Sequence, residues 1–141
     1  MLRSAKATWW GSLQDGNGEL GTESGALSDT PYSFKTRFED ERGTNPEELI
    51  GAAHAGCFSM ALSLILQKAG IESKRIDTEA KVRLDKVDGG FAITGVHLIT
   101  RVEAPGADPE TFEKAANDAK AGCPVSQVID TEITLEATLV N

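Results

Sequence analysis

The sequence predicts an α+β fold, with antiparallel β-sheets wrapped around a long central helix, in one domain spanning 1–141. Three observations carry that expectation. Residues 46–69 form a capped, almost uninterrupted apolar helix; residues 75–104 alternate as two strands joined by a glycine turn; and short strand-like runs occupy the first third. The chain of 141 residues is long enough for one sizeable core.

The N-terminal third reads as strands in ATWWGSL, LGTESGAL and PYSFKTRF, with QDGNGE as a turn cluster. In TNPEELIGAAHAGCFSMALSLILQKAG, Asn45 suits the N-cap, Pro46 the first helical position and Glu48 the closing residue of a capping box. Gly70 marks the C-terminal stop. A helix over 46–69 is about 36 Å long at 1.5 Å per residue. From Leu49 to Leu66 its only titratable side chains are His54 and Cys57, so it has apolar surface on nearly every side and must be covered. About 18 such residues is the lower limit for crossing a bilayer. Gly51, Gly56, Ser59 and Ser63 interrupt the run, and Glu47 and Glu48 stand before it. A buried central helix is the better reading, and a homodimer is the natural way to bury it.

RIDTEAKVRLDKV places Ile76, Thr78, Ala80, Val82 and Leu84 on one face. DKVDGGFA is a hairpin turn, and FAITGVHLITRVEA returns with its apolar phase shifted around Gly95, which predicts a bulge. DPETFEKAANDAKAG is a second helix, capped by Asp108, opened by Pro109 and stopped at Gly122. TEITLEATLV closes the chain as a strand with Ile133, Leu135, Ala137 and Leu139 inward.

A net charge of −8 argues against nucleic acid or an anionic membrane as partner. MLRSAKATWWGS has no apolar stretch and no cleavage site, so no secretory signal is expected and the cytoplasm is the expected compartment. Two cysteines in a reducing compartment are inert core residues or a redox pair. Cys57 is the twelfth residue of its helix, beyond the reach of the helix dipole, in apolar surroundings that raise a thiol pKa. It is either a small hydrophobe or a nucleophile served by a cation from elsewhere. Cys123 lies between Gly122 and Pro124, at the cap of a short helix PVSQVI, where backbone N–H groups are free. An inward-pointing turn cysteine fits that position equally well.

PYSFKTRFE, GTNPEELIGAAHAGCFSMALSLIL and AGCPVSQV, in this order along the chain and extended by TESGAL and DKVDGGFAIT, closely resemble the osmotically inducible protein C family. This is the OsmC branch of the OsmC/Ohr peroxidases. The resemblance implies a thiol peroxidase that reduces organic hydroperoxides, and hydrogen peroxide less well, as an intertwined homodimer. It implies that Cys57 is the peroxidatic cysteine and Cys123 the resolving one, joined transiently as a disulfide. Arg37 matches the family arginine and Glu47 the glutamate that orients it. Without the resemblance, Arg37 would pair with Glu39 or Asp40 at the surface, and Glu47 would be a first-turn dipole partner. No bound cofactor or metal is implied; an external dithiol, such as a lipoylated protein, recycles the disulfide. Within one helix Glu47 lies ten residues before Cys57, about 15 Å along the axis, so it must act through Arg37 or on a neighbouring subunit. Phe58 and Met60 are candidates for an apolar pocket. Gly56, in place of an alanine, costs the helix up to about 1 kcal/mol.

Two rival readings follow from the residues alone. In the first, His54 and Cys57, one turn apart, join His97 or a carboxylate around Zn²⁺, which wants three or four converging ligands. Otherwise the chain is a non-enzymatic dimer that binds apolar small molecules, its cysteines structural.

Overall fold

A computed structural model describes residues 1–140, which form two compact units, 1–49 and 50 onward. In the first unit, β1 (Ala5–Trp10), β2 (Asn17–Thr22) and β3 (Thr30–Tyr32) make an antiparallel sheet in that order. Gly18 on β2 passes between Trp9 and Tyr32, whose ring centroids are 5.4 Å apart. A Cβ there would stand 2.5 Å from Tyr32 and 2.7 Å from Trp9, so only glycine fits.

The run PYSFKTRF is not one strand. β3 ends at Tyr32, and Phe34–Phe38 is a short helix, α1. Ser33 and Thr36 close a capping box: Thr36 N–H donates to Ser33 Oγ (3.3 Å) and Ser33 N–H to Thr36 Oγ1 (2.8 Å). Two backbone donors satisfied locally outweigh the strand preference of Tyr32, Phe34 and Phe38.

The long helix α2 runs Pro46–Lys68 as predicted. Asn45 Oδ1 accepts from Glu48 N–H at 2.9 Å, and the Glu48 carboxylate answers by accepting from Thr44 Oγ1 at 3.1 Å and Asn45 Nδ2 at 3.4 Å. At the other end Gly70 takes a φ of +81°, Ile71 N–H reaches Leu66 O (2.9 Å) and Gly70 N–H reaches Gln67 O (3.0 Å). These are the two bonds of a Schellman stop.

In the second unit, β4 (Arg75–Val87) and β5 (Gly90–Glu103) form a long antiparallel hairpin about Asp88-Gly89, with Gly89 at φ +90°. The register slips where Arg83 faces Gly95 and Leu84 faces Ile93, so Thr94 is the extra residue of the predicted bulge. Helix α3 (Pro109–Gly122), capped by Asp108, and helix α4 (Pro124–Val128), capped by Cys123, lead into β6 (Glu132–Leu139).

One expectation fails here. β6 pairs with β5 in parallel, Val96 opposite Ile133 and Leu98 opposite Leu135, so this sheet is mixed rather than antiparallel. The connection through α3 and α4 returns the chain to the starting end of β5, which is the crossover a parallel pair needs.

The core of this unit is the face of α2 bearing Phe58, Leu62 and Leu66, all fully buried, against Val96, Leu98 and Val102 of β5 and Phe112, Ala115, Ala116 and Ala119 of α3. Phe58 therefore belongs to the core. Gly51 lets α2 approach β4 closely: a Cβ would lie 3.2 Å from Ala80 O. Gly56 faces open space, and Met60 and Leu64 on the outer side are 77% and 50% exposed. By length and composition α2 could cross a membrane, and only 28% of its apolar window is buried within the chain.

Candidate active site

The two cysteines, 66 residues apart in sequence, meet in the second unit. Both are free thiols, and Cys123 lies near enough to Cys57 to raise its pKa. Cys57, on α2, is half-buried, whereas Cys123, between α3 and α4, is 1% exposed. Burial pushes the Cys57 thiol above its ordinary pKa. A backbone hydrogen bond from Val125 opposes that shift, and the neighbouring Cys123 adds to it. Burial disfavours the charged form, and one N–H does not compensate. That direction is the one expected from the mid-helix, apolar position of Cys57.

Cys123 Sγ receives Ser126 N–H at 3.4 Å, the capping bond expected from its place at the head of α4. Ser126 Oγ lies 3.0 Å from the same sulfur and 2.7 Å from His54 Nε2. Sequence reasoning did not find Ser126. The available signal was its spacing: a residue three positions after a cap folds back over it. His54 is a fully buried, hydrogen-bonded interior residue. It does not converge with His97, which bonds Thr134 Oγ1 on β6 at 2.6 Å and has Nε2 3.8 Å from Glu136. Among the described residues, no group of three or more His, Cys, Asp or Glu side chains is arranged to hold a metal ion.

In the first unit the structure brings Arg37 and Glu47 together. Arg37 Nε and Nη2 donate to Glu47 Oε1 at 3.1 and 2.9 Å, and the guanidinium lies 5.2 Å from the centre of the Phe38 ring. α1 delivers the arginine and the first turn of α2 the glutamate, so the partner is Glu47 and not Glu39 or Asp40. Glu47 is 7% exposed, and its Oε2 is buried with no hydrogen-bond partner among the described residues. Trp9, Leu13, Tyr32, Phe34 and Phe38 surround Arg37 in a cleft of about 290 Å³. A second apolar cavity of about 510 Å³ is lined by Ile50, Ala53, Ile93, Val96, Val125 and Val128, with Val125 shared with the Cys57 surroundings.

The family model "OsmC-like protein" matches residues 38–138. Peroxiredoxin OsmC of Escherichia coli K12 is 58% identical over 137 residues, covering 97% of this chain and 96% of that protein. The chain belongs to the OsmC family. It is an enzyme of the thiol peroxidase class. The organic hydroperoxide resistance protein OhrB of Bacillus subtilis is 32% identical over 111 residues, 78% of this chain and 79% of that one. The crystal structure of OhrB superimposes with a TM-score of 0.72 at 30% identity, covering 97% of this chain and 98% of that one. The two-sheet α+β architecture with its long helix is therefore that of the OsmC and Ohr proteins.

Proposed function

We propose that this OsmC family member reduces organic hydroperoxides to alcohols, and hydrogen peroxide less well, through Cys57 and Cys123. The observation that carries this reading is the neighbouring pair of free thiols, half-buried at Cys57 and closed off at Cys123. The Cys57 thiolate attacks one peroxide oxygen, the O–O bond breaks, and the alkoxide leaves as the alcohol. The resulting Cys57 sulfenic acid condenses with the Cys123 thiol: an S–S bond forms, the S–O bond breaks, and the thiol proton completes the departing water. A dithiol such as a lipoylated protein then reduces the disulfide.

Arg37 has the role of stabilising the Cys57 thiolate and donating to the peroxide, with Glu47 holding the guanidinium by the paired bonds to Oε1. A fixed planar fork suits a sulfur and an oxygen side by side. The apolar cavity that shares Val125 with Cys57, and the aromatic cleft around Arg37, favour a hydrocarbon substituent on the peroxide. The test is peroxide consumption with cumene hydroperoxide and hydrogen peroxide side by side, using dithiothreitol or dihydrolipoamide. Faster turnover of cumene hydroperoxide is the expected result; equal rates would remove the organic preference. The rival reading, a non-enzymatic binder of apolar molecules, predicts two slow thiols with ordinary titration.

The site operates in a homodimer, as one OsmC-like domain over 1–141; the family match runs across both compact units. The exposed apolar side of α2, with Met60 and Leu64, is the surface a second copy covers. The reducing cytoplasm suits two cysteines that must return to thiols. Sedimentation at micromolar concentration is expected to give a dimer, and a monomer there would count against the assignment.

A further inference from the structure

His54 takes no part in the chemistry proposed above, yet it is fully buried and connected to it. Its Nε2 is 2.7 Å from Ser126 Oγ, which is 3.0 Å from Cys123 Sγ. Nδ1, by contrast, is buried with no hydrogen-bond partner among the described residues. A buried N–H without an acceptor is rarer in proteins than a buried lone pair without a donor. The hydrogen-bond pattern therefore assigns the proton of the neutral ring to Nε2. Burial, which lowers the His54 pKa, keeps the ring neutral.

With that tautomer every bond in the chain has one direction. His54 Nε2–H donates to Ser126 Oγ, and the serine O–H is left to donate to Cys123 Sγ. The same sulfur accepts Ser126 N–H at 3.4 Å. Two donors thus converge on Cys123 Sγ. Donors of this kind matter most when the sulfur carries full charge. During condensation Cys123 is consumed as a thiol; the moment it bears charge is when the disulfide is opened.

We propose that His54, acting through Ser126, is a positioning residue for disulfide reduction, making Cys123 the sulfur that leaves as thiolate when an external dithiol attacks Cys57. The proposal rests on the peroxidase cycle above. The reductant's thiolate forms a bond to Cys57 Sγ, the Cys57–Cys123 bond breaks, and its electron pair goes to Cys123 Sγ between the two donors. The second reductant thiol then displaces Cys57. The dithiol is oxidised by two electrons, the protein disulfide is reduced by two, and the reductant's two protons return to the cysteines. Access points the same way, since Cys123 is 1% exposed and Cys57 is the half-buried partner.

The regiochemistry is read directly. The disulfide is prepared with diamide, so that its formation does not depend on peroxidase activity, and is mixed with excess 2-mercaptoethanol. After a rapid acid quench and alkylation with N-ethylmaleimide, peptide mass spectrometry is expected to find the maleimide on Cys123 and mercaptoethanol on Cys57. The opposite pattern overturns the proposal. Reduction of the same disulfide by dihydrolipoamide is expected to slow about tenfold in Ser126→Ala and in His54→Leu. His54→Gln, whose amide N–H can stand near the Nε2 position, is expected to recover most of the rate and to keep the label on Cys123. A loss of packing alone would not be repaired by a polar amide. Equal reduction rates in wild type and Ser126→Ala, a variant that removes only one oxygen, would sink the role given to the donor chain.

Discussion

Replacing Cys57 by serine is expected to reduce peroxidase turnover to background, while Cys123→Ser still carries out one rapid oxidation and then stops. The difference follows from two separate steps. A serine hydroxyl is not ionised near neutral pH and cannot open the O–O bond, so Cys57→Ser removes the attack itself. Cys123 acts only after the sulfenic acid exists, so its loss spares the first event and blocks the disulfide route. Stopped-flow oxidation with a stoichiometric amount of cumene hydroperoxide measures the first step, and intact mass follows the product. Wild type should lose two hydrogens as the disulfide, whereas Cys123→Ser should gain oxygen. Single-turnover rates that are equal in wild type and Cys57→Ser would refute the assignment of the nucleophile.

Arg37→Ala is expected to slow Cys57 oxidation roughly 10- to 150-fold at neutral pH, the equivalent of losing a charged hydrogen bond of about 1.5–3 kcal/mol. Burial already raises the Cys57 thiol pKa, and the backbone bond from Val125 is the one opposing influence within its unit. Loss of the guanidinium is expected to raise that pKa further. The sign of the pH effect follows: less thiolate forms at neutral pH, and the deficit shrinks as pH increases through the range where the variant thiol ionises. Arg37→Lys should rescue in part, because a single ammonium cannot hold a sulfur and an oxygen as a planar fork does. Removing Arg37 also leaves the 7%-exposed Glu47 carboxylate without the partner that donates twice to its Oε1. The double variant Arg37→Ala/Glu47→Gln separates that structural cost from loss of the cation, since it relieves only the former. Coincident pH profiles for wild type and Arg37→Ala would show that another group activates the thiol.

Local signals in the chain were accurate where the deciding interactions are local. Asn45, Pro46 and Glu48 open α2, and Gly70 closes it, because a helix end is satisfied by residues within a few positions. The Asp88-Gly89 turn and the bulge opposite Arg83 are legible for the same reason: a two-residue turn and a phase shift leave marks in neighbouring residues. The short helix α1 was legible as well, in the Ser33–Thr36 pair, but aromatic strand formers masked it.

Residues facing across space were not legible in this way. Phe58 and Met60 stand two positions apart, one with no exposed surface and the other 77% exposed, and a helix apolar on all sides does not say which face the sheet takes. Alternation in TEITLEATLV shows that one face of β6 is inward. It carries no information on strand direction, which the α3–α4 crossover decides.

Most of the elements, their caps, the two cysteines and, through the motifs, the family to which they belong were written in the chain itself. It took the folded chain to bring Cys123 near Cys57, to pair Arg37 with Glu47, and to link His54 to the second sulfur through Ser126. The physical reason is range. Capping and periodicity act over three or four residues, whereas His54 and Ser126 are 72 residues apart and meet because α2 and α4 pack in one unit.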